Sequence, residues 1–253
     1  MIQNFSYLRL ASVQMGYMRY YLEMDDGYGE EVSQPVQSQP SGQAPTIEFR
    51  DVTFGYDEHT VLKHLSFQVE EGEQITLSGR TGAGKSTVFK LLLGLYEPGE
   101  GSVWIDGREA AAIDWKDRRF LFGYVEQSFH RVAGTVKDQI TLYDEKISME
   151  NVKEAAELTG LHDTIMHLPD GYDTICTPEL FSQGQWQLLS IARAAAARPK
   201  LLLLDEITAN LDAETEKEVL EALKRVSENR TVISISHRVS AKMGRIIPIE
   251  QKL

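Results

Sequence analysis

The 253-residue sequence has very little of several features that define other classes of protein. Its single cysteine, Cys176, excludes an internal disulfide and a cysteine-rich metal site, and it suits a reducing compartment. The sequence has no apolar run of about 18 residues, so it predicts no membrane-spanning helix. The segment Met1 to Arg9 lacks the basic-then-apolar order of a secretion signal.

Basic residues are also scarce, with 26 Lys and Arg against 38 Asp and Glu, a formal net charge of −12. We therefore expect no nucleic-acid partner, because electrostatic binding along a nucleic-acid backbone requires a positively charged protein surface. Glycine and proline are not enriched, and the 42% hydrophobic content is ordinary, which excludes collagen-like and wholly disordered chains. The length is sufficient for one large domain or two small ones.

Three stretches differ in composition. In residues 1–24, apolar side chains recur at three- and four-residue steps, which predicts a helix. That helix packs either on its own domain or within a larger partner into which it continues. Residues 25–45 are rich in proline and glycine with almost nothing to bury, and they predict a flexible linker.

From Thr46 onward the pattern is that of a globular α/β domain. Early alternation, at Ile47 and Phe49 and again at Leu65 to Val69, predicts half-buried antiparallel strands. Later short apolar runs suit parallel strands covered on both faces, and amphipathic stretches separate them. These strands are predicted at Gln74–Ser78, Lys200–Leu204 and Thr231–Ile235, and the helices at Lys85–Leu95, Ser148–Thr159, Gln185–Ala197 and Ala213–Glu228.

A glycine-rich loop between a predicted strand and a predicted helix gives the strongest functional signal. Its pattern, G-x-x-x-x-G-K-[ST], binds phosphate because glycines let successive backbone N–H groups point at one anion beside a helix N-terminus. Lys85 is expected to reach the β- and γ-phosphates, and Ser86 to hold Mg²⁺. The alternative is a structural glycine-rich turn. The predicted nucleotide-binding residues are Gly79, Arg80, Thr81, Gly82, Ala83, Gly84, Lys85, Ser86 and Thr87.

Three further polar residues follow predicted strands, at the sheet edge where ligands of α/β proteins collect. Asp205 is expected to hold Mg²⁺, directly or through a water molecule, and Glu206 to orient and deprotonate an attacking water. The alternative for this acidic pair is a helix cap. His237 ends the strand TVISISH, where it is either structural or a hydrogen-bond partner of a γ-phosphate.

Other short stretches complete a pattern with the loop and the acidic pair. They are VTFGYDEHTVLKHLSF around Tyr56, YVEQSFHRVAGTVKDQI around Gln127, LPDGYDT at 168–174 and ITANLD ending at Asp212. Together, from Thr46 to about Ile249, they resemble the nucleotide-binding (ATPase) domain of an exporter-type ABC transporter.

The resemblance implies a P-loop NTPase fold with a mostly parallel core sheet, an N-terminal antiparallel β subdomain and an inserted α-helical subdomain. It implies an ABC ATPase domain at 46–253, with the helical subdomain at about 128–198 and a C-terminus truncated relative to the family. ATP and Mg²⁺ are the implied cofactors. Tyr56 would stack on adenine, Gln127 would contact Mg²⁺ and the attacking water, and Asp212 would bridge two domains of a dimer.

The signature motif of that family is altered here. It reads Phe181-Ser182-Gln183-Gly184-Gln185, and the resemblance implies that Ser182, Gln183, Gly184 and Gln185 act in trans on the γ-phosphate held by another domain. Ser182 suits the N-cap of the following helix. Gln183 adds a side chain where the backbone would approach phosphate closely or adopt a positive φ. The segment 175–180 before it is shorter than is usual in the family.

The implied partners are a second ABC ATPase domain, in a head-to-tail homo- or heterodimer, and a transmembrane domain that is absent from this chain. Residues 1–24 resemble the tail of the last helix of such a domain. The implied location is the cytoplasmic side of the cell membrane, with the isolated domain soluble. Two other functions stay open: a soluble ABC-type ATPase acting on DNA or ribosomes, and a regulatory domain that binds ATP with little turnover.

Overall fold

The computed structural model describes residues 46–57, 59–126, 129–208, 211–236 and 241–250. The helix predicted at 1–24, the linker at 25–45, and the candidate site residues Gln127 and His237 lie outside them. The described residues form two compact units, one of residues 46–71 and 87–117 and one of residues 72–86 and 118–250.

Strands and helices are named here in chain order over the described residues. The strands are β1 (Ile47–Tyr56), β2 (His59–Val69), β3 (Gln74–Ser78), β4 (Glu100–Ile105), β5 (Arg108–Glu109), β6 (Phe122–Val125), β7 (Leu201–Asp205), β8 (Thr231–Ile235) and β9 (Arg245–Pro248). The helices are α1 (Lys85–Leu92), α2 (Trp115–Leu121), α3 (Val136–Thr141), α4 (Met149–Thr159), α5 (His162–Met166), α6 (Gln183–Ala196) and α7 (Ala213–Ser227).

The first unit contains a four-stranded antiparallel sheet in the order β2-β1-β4-β5. Ile47 and Phe49 alternate inward, and after a register irregularity Val52 and Phe54 do the same, so that all four are buried. Phe49 lies opposite Phe67 of β2, and the two rings stack with centroids 4.5 Å apart. Such cross-strand aromatic pairs stabilise a sheet. The alternation in the sequence correctly predicted these antiparallel strands.

The second unit contains a five-stranded parallel sheet in the order β6-β7-β8-β3-β9. The central residues of β3, β7 and β8 are all buried, because helices cover both faces of a parallel sheet. All five strands run in the same direction, so the residues that follow Ser78, Val125, Leu204 and Ile235 meet at one edge. This topology confirms the predicted α/β fold with a mostly parallel sheet.

Helices α3, α4, α6 and α7 of this unit share one apolar core with the sheet. Buried side chains such as Val152, Leu189, Leu204 and Val219 join the helices to β7. Helix α6 packs against α3, α4 and α7. Helices α3, α4 and α6 fall within the helical subdomain predicted at about 128–198, whose limits stay a prediction, and α7 lies after it.

Several predicted boundaries shift by a few residues. Helix α1 ends at Leu92 instead of Leu95, because the chain turns at Gly94 with a positive φ of 60°. Strand β7 extends one residue further than predicted, which makes Asp205 its last residue. Over the described residues, the longest helices remain too short and too polar to cross a lipid bilayer.

Candidate nucleotide-binding site

The loop between β3 and α1 has the backbone that its glycines predict. Gly82 and Gly84 adopt φ of 81° and 98°, a left-handed region that L-residues rarely occupy. The Ala83 N–H donates to the Arg80 carbonyl at 3.1 Å and closes a turn. The chain then enters α1 at Lys85. The result is a curled loop that ends at a helix N-terminus, the arrangement suited to an anion.

Lys85, the first residue of α1, is only 5% exposed. Its Nζ donates to the carbonyl oxygens of Gly79 and Arg80, both at 3.0 Å. A buried ammonium needs such partners, because desolvation of an unpaired charge is costly. The bonds hold the positive charge inside the loop, where a phosphate oxygen can accept a further N–H.

Asp205 is the last residue of β7 and Glu206 comes directly after it, at the same edge of the sheet as the phosphate loop. Asp205 accepts a hydrogen bond from the Tyr124 hydroxyl at 3.3 Å. The Glu206 N–H donates to the Ile235 carbonyl at 3.0 Å, and its φ is 47°. A left-handed glutamate is strained by about 1–3 kcal/mol, and residues strained in this way cluster at functional sites. Asp57 and Asp106, which follow β1 and β4, have similar φ values of 52° and 47°, so it is the position of Glu206 at the sheet edge that makes it a candidate.

The donor set of this edge fits Mg²⁺. The exposed Ser86 and the half-buried Asp205 offer a hydroxyl and a carboxylate, the hard oxygen ligands that Mg²⁺ prefers. In the part of the chain that the structure describes, no group of three or more His, Cys, Asp or Glu residues is assembled to bind a metal. One or two protein oxygens are the usual protein share when nucleotide phosphates and water complete the shell.

The segment after Gln127 is held by a half-buried arginine, Arg193, that sequence reasoning missed. The Arg193 guanidinium donates to the carbonyls of Gln139 at 2.6 Å and His130 at 2.9 Å, and lies 4.1 Å from the ring centroid of Phe129. Burial lowers the pKa of Arg193 to about 10. The sequence signal that could have identified it is a single charged residue, Arg193, within the otherwise apolar run SIARAAAA.

Gln139 and Glu126 hold the same segment from two other sides. Gln139 is fully buried, and its amide group donates to the Val132 carbonyl at 2.7 Å and accepts from the Val132 N–H at 3.0 Å. The Glu126 carboxylate lies 3.1 Å from His130 Nδ1, and burial raises the pKa of Glu126. The residues that flank Gln127 are therefore bonded to α3 and α6.

The altered signature motif forms a regular helix start. Ser182 caps α6: its Oγ accepts from the Gln185 N–H at 3.2 Å, and the Gln185 side chain accepts from the Ser182 N–H at 2.9 Å. Gln183 is the first helical residue and is exposed. Of the two alternatives for this position, the positive φ is wrong, because the capping box places Gln183 in the helix, and the close approach to phosphate stays a prediction.

Gly184 is required by packing within this chain. A Cβ at this position would lie less than 3.0 Å from Thr215 Cγ2 of α7. Thr215 cannot turn away freely, because its Oγ1 donates to Asp212 at 2.7 Å. Asp212 is the N-cap of α7 and also accepts from the N–H groups of Glu214 and Thr215, at 3.1 and 3.0 Å. These hydrogen bonds lower the pKa of Asp212, and the bond from the Thr215 N–H contributes most.

Tyr56 belongs to an aromatic cluster of the first unit. Its ring meets Phe54 and Tyr96 edge-on, with centroids 5.0 and 5.4 Å apart. Lys90 lies over the Tyr56 ring at 5.1 Å and donates to its hydroxyl at 3.2 Å. The same hydroxyl lies 3.4 Å from Thr87 Oγ1. The helix that begins at the phosphate loop therefore holds the Tyr56 ring in place.

Comparison with known proteins identifies the family and the fold of this chain. The family model for ABC transporters matches residues 62–209, more than half of the chain. This chain belongs to the ABC transporter family. It has the ABC ATPase form of the P-loop fold, and it is an ATP-binding domain of the kind that hydrolyses ATP in this family.

Individual ABC transporter proteins agree with this assignment. In Bacillus subtilis (strain 168), the uncharacterized ABC transporter ATP-binding protein YfiC is 43% identical over 83% of this chain and 34% of its own length. In the same organism, the probable multidrug resistance ABC transporter ATP-binding/permease protein YheH is 37% identical over 94% of this chain and 35% of its own length. The solved structure of a bacterial Atm1-family ABC exporter with ATP bound is 32% identical in sequence and has a TM-score of 0.74. The match covers 96% of this chain and 43% of the exporter chain. The chain spans about a third of the length of these curated relatives.

Proposed function

We propose that this chain is the nucleotide-binding domain that powers an ABC exporter by binding and hydrolysing ATP with Mg²⁺. One observation carries the proposal: a curled phosphate loop containing Lys85 and an acidic pair, Asp205 and Glu206, occupy the same edge of one parallel sheet. That edge is where ligands of α/β sheets bind. The names of the relatives, among them a multidrug resistance protein and an exporter, favour export over the other readings.

The residues of the loop and those of the sheet edge have different roles in binding and hydrolysing ATP. Backbone N–H groups of the loop, Lys85 and the N-terminus of α1 hold the β- and γ-phosphates and stabilise their charge. Ser86, Asp205 and Gln127 would hold Mg²⁺, which neutralises phosphate charge when bound. Glu206 accepts a proton from the attacking water, and Gln127 and His237 orient the water and the γ-phosphate. Tyr56 stacks on the adenine ring.

The second half of each site comes from another ABC ATPase domain, arranged head to tail. The N-terminus of α6 supports this role, because the N–H groups of Gln183 and Gly184 precede the first intrahelical bond, from Trp186 to Ser182. A helix N-terminus attracts the γ-phosphate of the partner domain. Asp212 bridges the two domains. The pair acts at the cytoplasmic side of a membrane, on a transmembrane domain that selects the substrate.

The central experiment replaces Glu206 with glutamine. Since a general base contributes at least about 10²-fold, we expect Mg²⁺-dependent ATP hydrolysis to fall by that factor or more while ATP binding persists. Glu218→Gln, on the exposed face of α7, is the matched control and should keep full activity.

Sizing chromatography of the Glu206→Gln protein tests the composite site. We expect ATP to convert monomer to dimer, because hydrolysis no longer reopens the closed pair. Equal hydrolysis rates in parent and variant would remove Glu206 as the base. ATP binding with negligible turnover in the parent protein would instead favour a regulatory ATP-binding domain.

A further inference from the structure

Tyr124, the first residue of the stretch quoted around Gln127, reaches into the acidic edge of the sheet, although sequence reasoning assigned it no role. It lies in β6, directly beside β7, where it pairs with Leu203. Its side chain crosses to the end of β7, where its hydroxyl donates to Asp205 Oδ2 at 3.3 Å. The two residues are 81 positions apart in sequence, so only the pairing of β6 with β7 brings them together.

The chemistry of this contact suits a carboxylate that must receive a cation. A lysine or arginine at the same place would neutralise Asp205 and compete with the metal. A phenol donates a hydrogen bond, keeps its proton near neutral pH and leaves the carboxylate negative.

We propose that Tyr124 is a positioning residue, whose hydroxyl orients the Asp205 carboxylate for the divalent cation that accompanies the nucleotide. The proposal rests on the proposed ATPase function. Hydrogen bonds from outside the ligand set fix the orientation of metal-binding carboxylates, and their loss typically costs about 10- to 100-fold in metal affinity. Tyr124 would therefore act on cation binding through Asp205 and make no contact with ATP.

The test is Tyr124→Phe, which removes one oxygen and keeps the ring. We place it in a Glu206→Gln background, so that binding is measured without turnover. Titration with Mn²⁺, followed by electron paramagnetic resonance with ATP present, should show cation affinity weakened by about 10-fold or more. ATP binding in excess chelator should not change. The matched control is Tyr172→Phe, since Tyr172 is a buried phenol outside the sheet edge whose hydroxyl lies 2.9 Å from His162 Nδ1.

A double-variant cycle separates this role from a general structural one. With Asp205→Ala already present, Tyr124→Phe should cause no further loss of cation affinity, because the proposed effect on the cation is transmitted through that carboxylate. An unchanged Mn²⁺ affinity in Tyr124→Phe, or an equal loss in the Asp205→Ala background, would overturn the role of Tyr124. Failure of the parent protein to bind ATP with or without the cation would reject the proposed function itself.

Discussion

Replacement of Gly184 by alanine should destabilise this chain before any partner is considered. The added methyl group would overlap Thr215 Cγ2, while Thr215 Cβ and Oγ1 lie at an acceptable 3.6 Å. Threonine is stiff about χ1, and turning it would break the 2.7 Å bond from its hydroxyl to Asp212. The overlap must therefore be relieved by movement of α6 against α7 or by loss of that bond.

The expected cost follows from the size of the overlap. One excess methyl group in a close-packed contact costs about 1–3 kcal/mol. For a domain of about 200 residues, each kcal/mol lowers Tm by about 2–4 °C, so Gly184→Ala should unfold about 2–12 °C below the parent. Thermal unfolding followed by circular dichroism, with urea unfolding as a second measurement, tests this value.

Thr215→Ser is the compensating change, because it removes the clashing methyl group and keeps the hydroxyl that donates to Asp212. The double variant Gly184→Ala with Thr215→Ser should recover most of the lost stability, and Thr215→Ser alone serves as the control. An unaltered Tm for Gly184→Ala, or a double variant as unstable as the single one, would refute the packing argument. A stable double variant that no longer dimerises with ATP would show that this glycine is also needed in trans.

Two further predictions concern residues that hold the flanking structure. The hydrogen bonds to Asp212 lower its pKa, so the ionised Asp212 carboxylate stabilises the folded protein. This stabilisation is fully present at pH values above the ordinary carboxyl pKa, near 4, and is lost as the pH falls through the lowered pKa of the folded state. Asp212→Asn should keep the helix cap and flatten that part of the stability–pH curve, and a curve that matches the parent would contradict the assignment. Arg193→Met should lower unfolding stability by about 2–4 kcal/mol, because it removes two charge-assisted bonds to carbonyls, whereas the exposed Arg131→Met should cost little. Urea unfolding decides between these outcomes, and equal losses in both arginine variants would contradict the role of Arg193.

Local sequence was sufficient wherever one short stretch determines its own geometry. The glycines, Lys85 and Ser86 predict a strand, a curled loop and a helix start within a dozen residues, and the structure has all three. Ser182 predicts a helix cap in the same way, although the helix begins two residues earlier than periodicity suggested. At Gln183 one of the two expected alternatives, a positive φ, does not occur, because the Ser182 cap makes this position the first residue of the helix.

The remaining contacts depend on strand order and helix packing, which short-range patterns do not encode. Tyr124 meets Asp205 because β6 and β7 are neighbours, Arg193 meets His130 because α6 packs beneath that segment, and Gly184 meets Thr215 because α6 crosses α7 closely. Each pair joins residues far apart in the chain through burial of a shared apolar core. The sequence alone thus determined the phosphate loop and the α/β class, since both depend on local backbone preferences and periodicity. Only the tertiary structure decided which distant side chains orient the site, because their convergence depends on how the sheet and its covering helices pack.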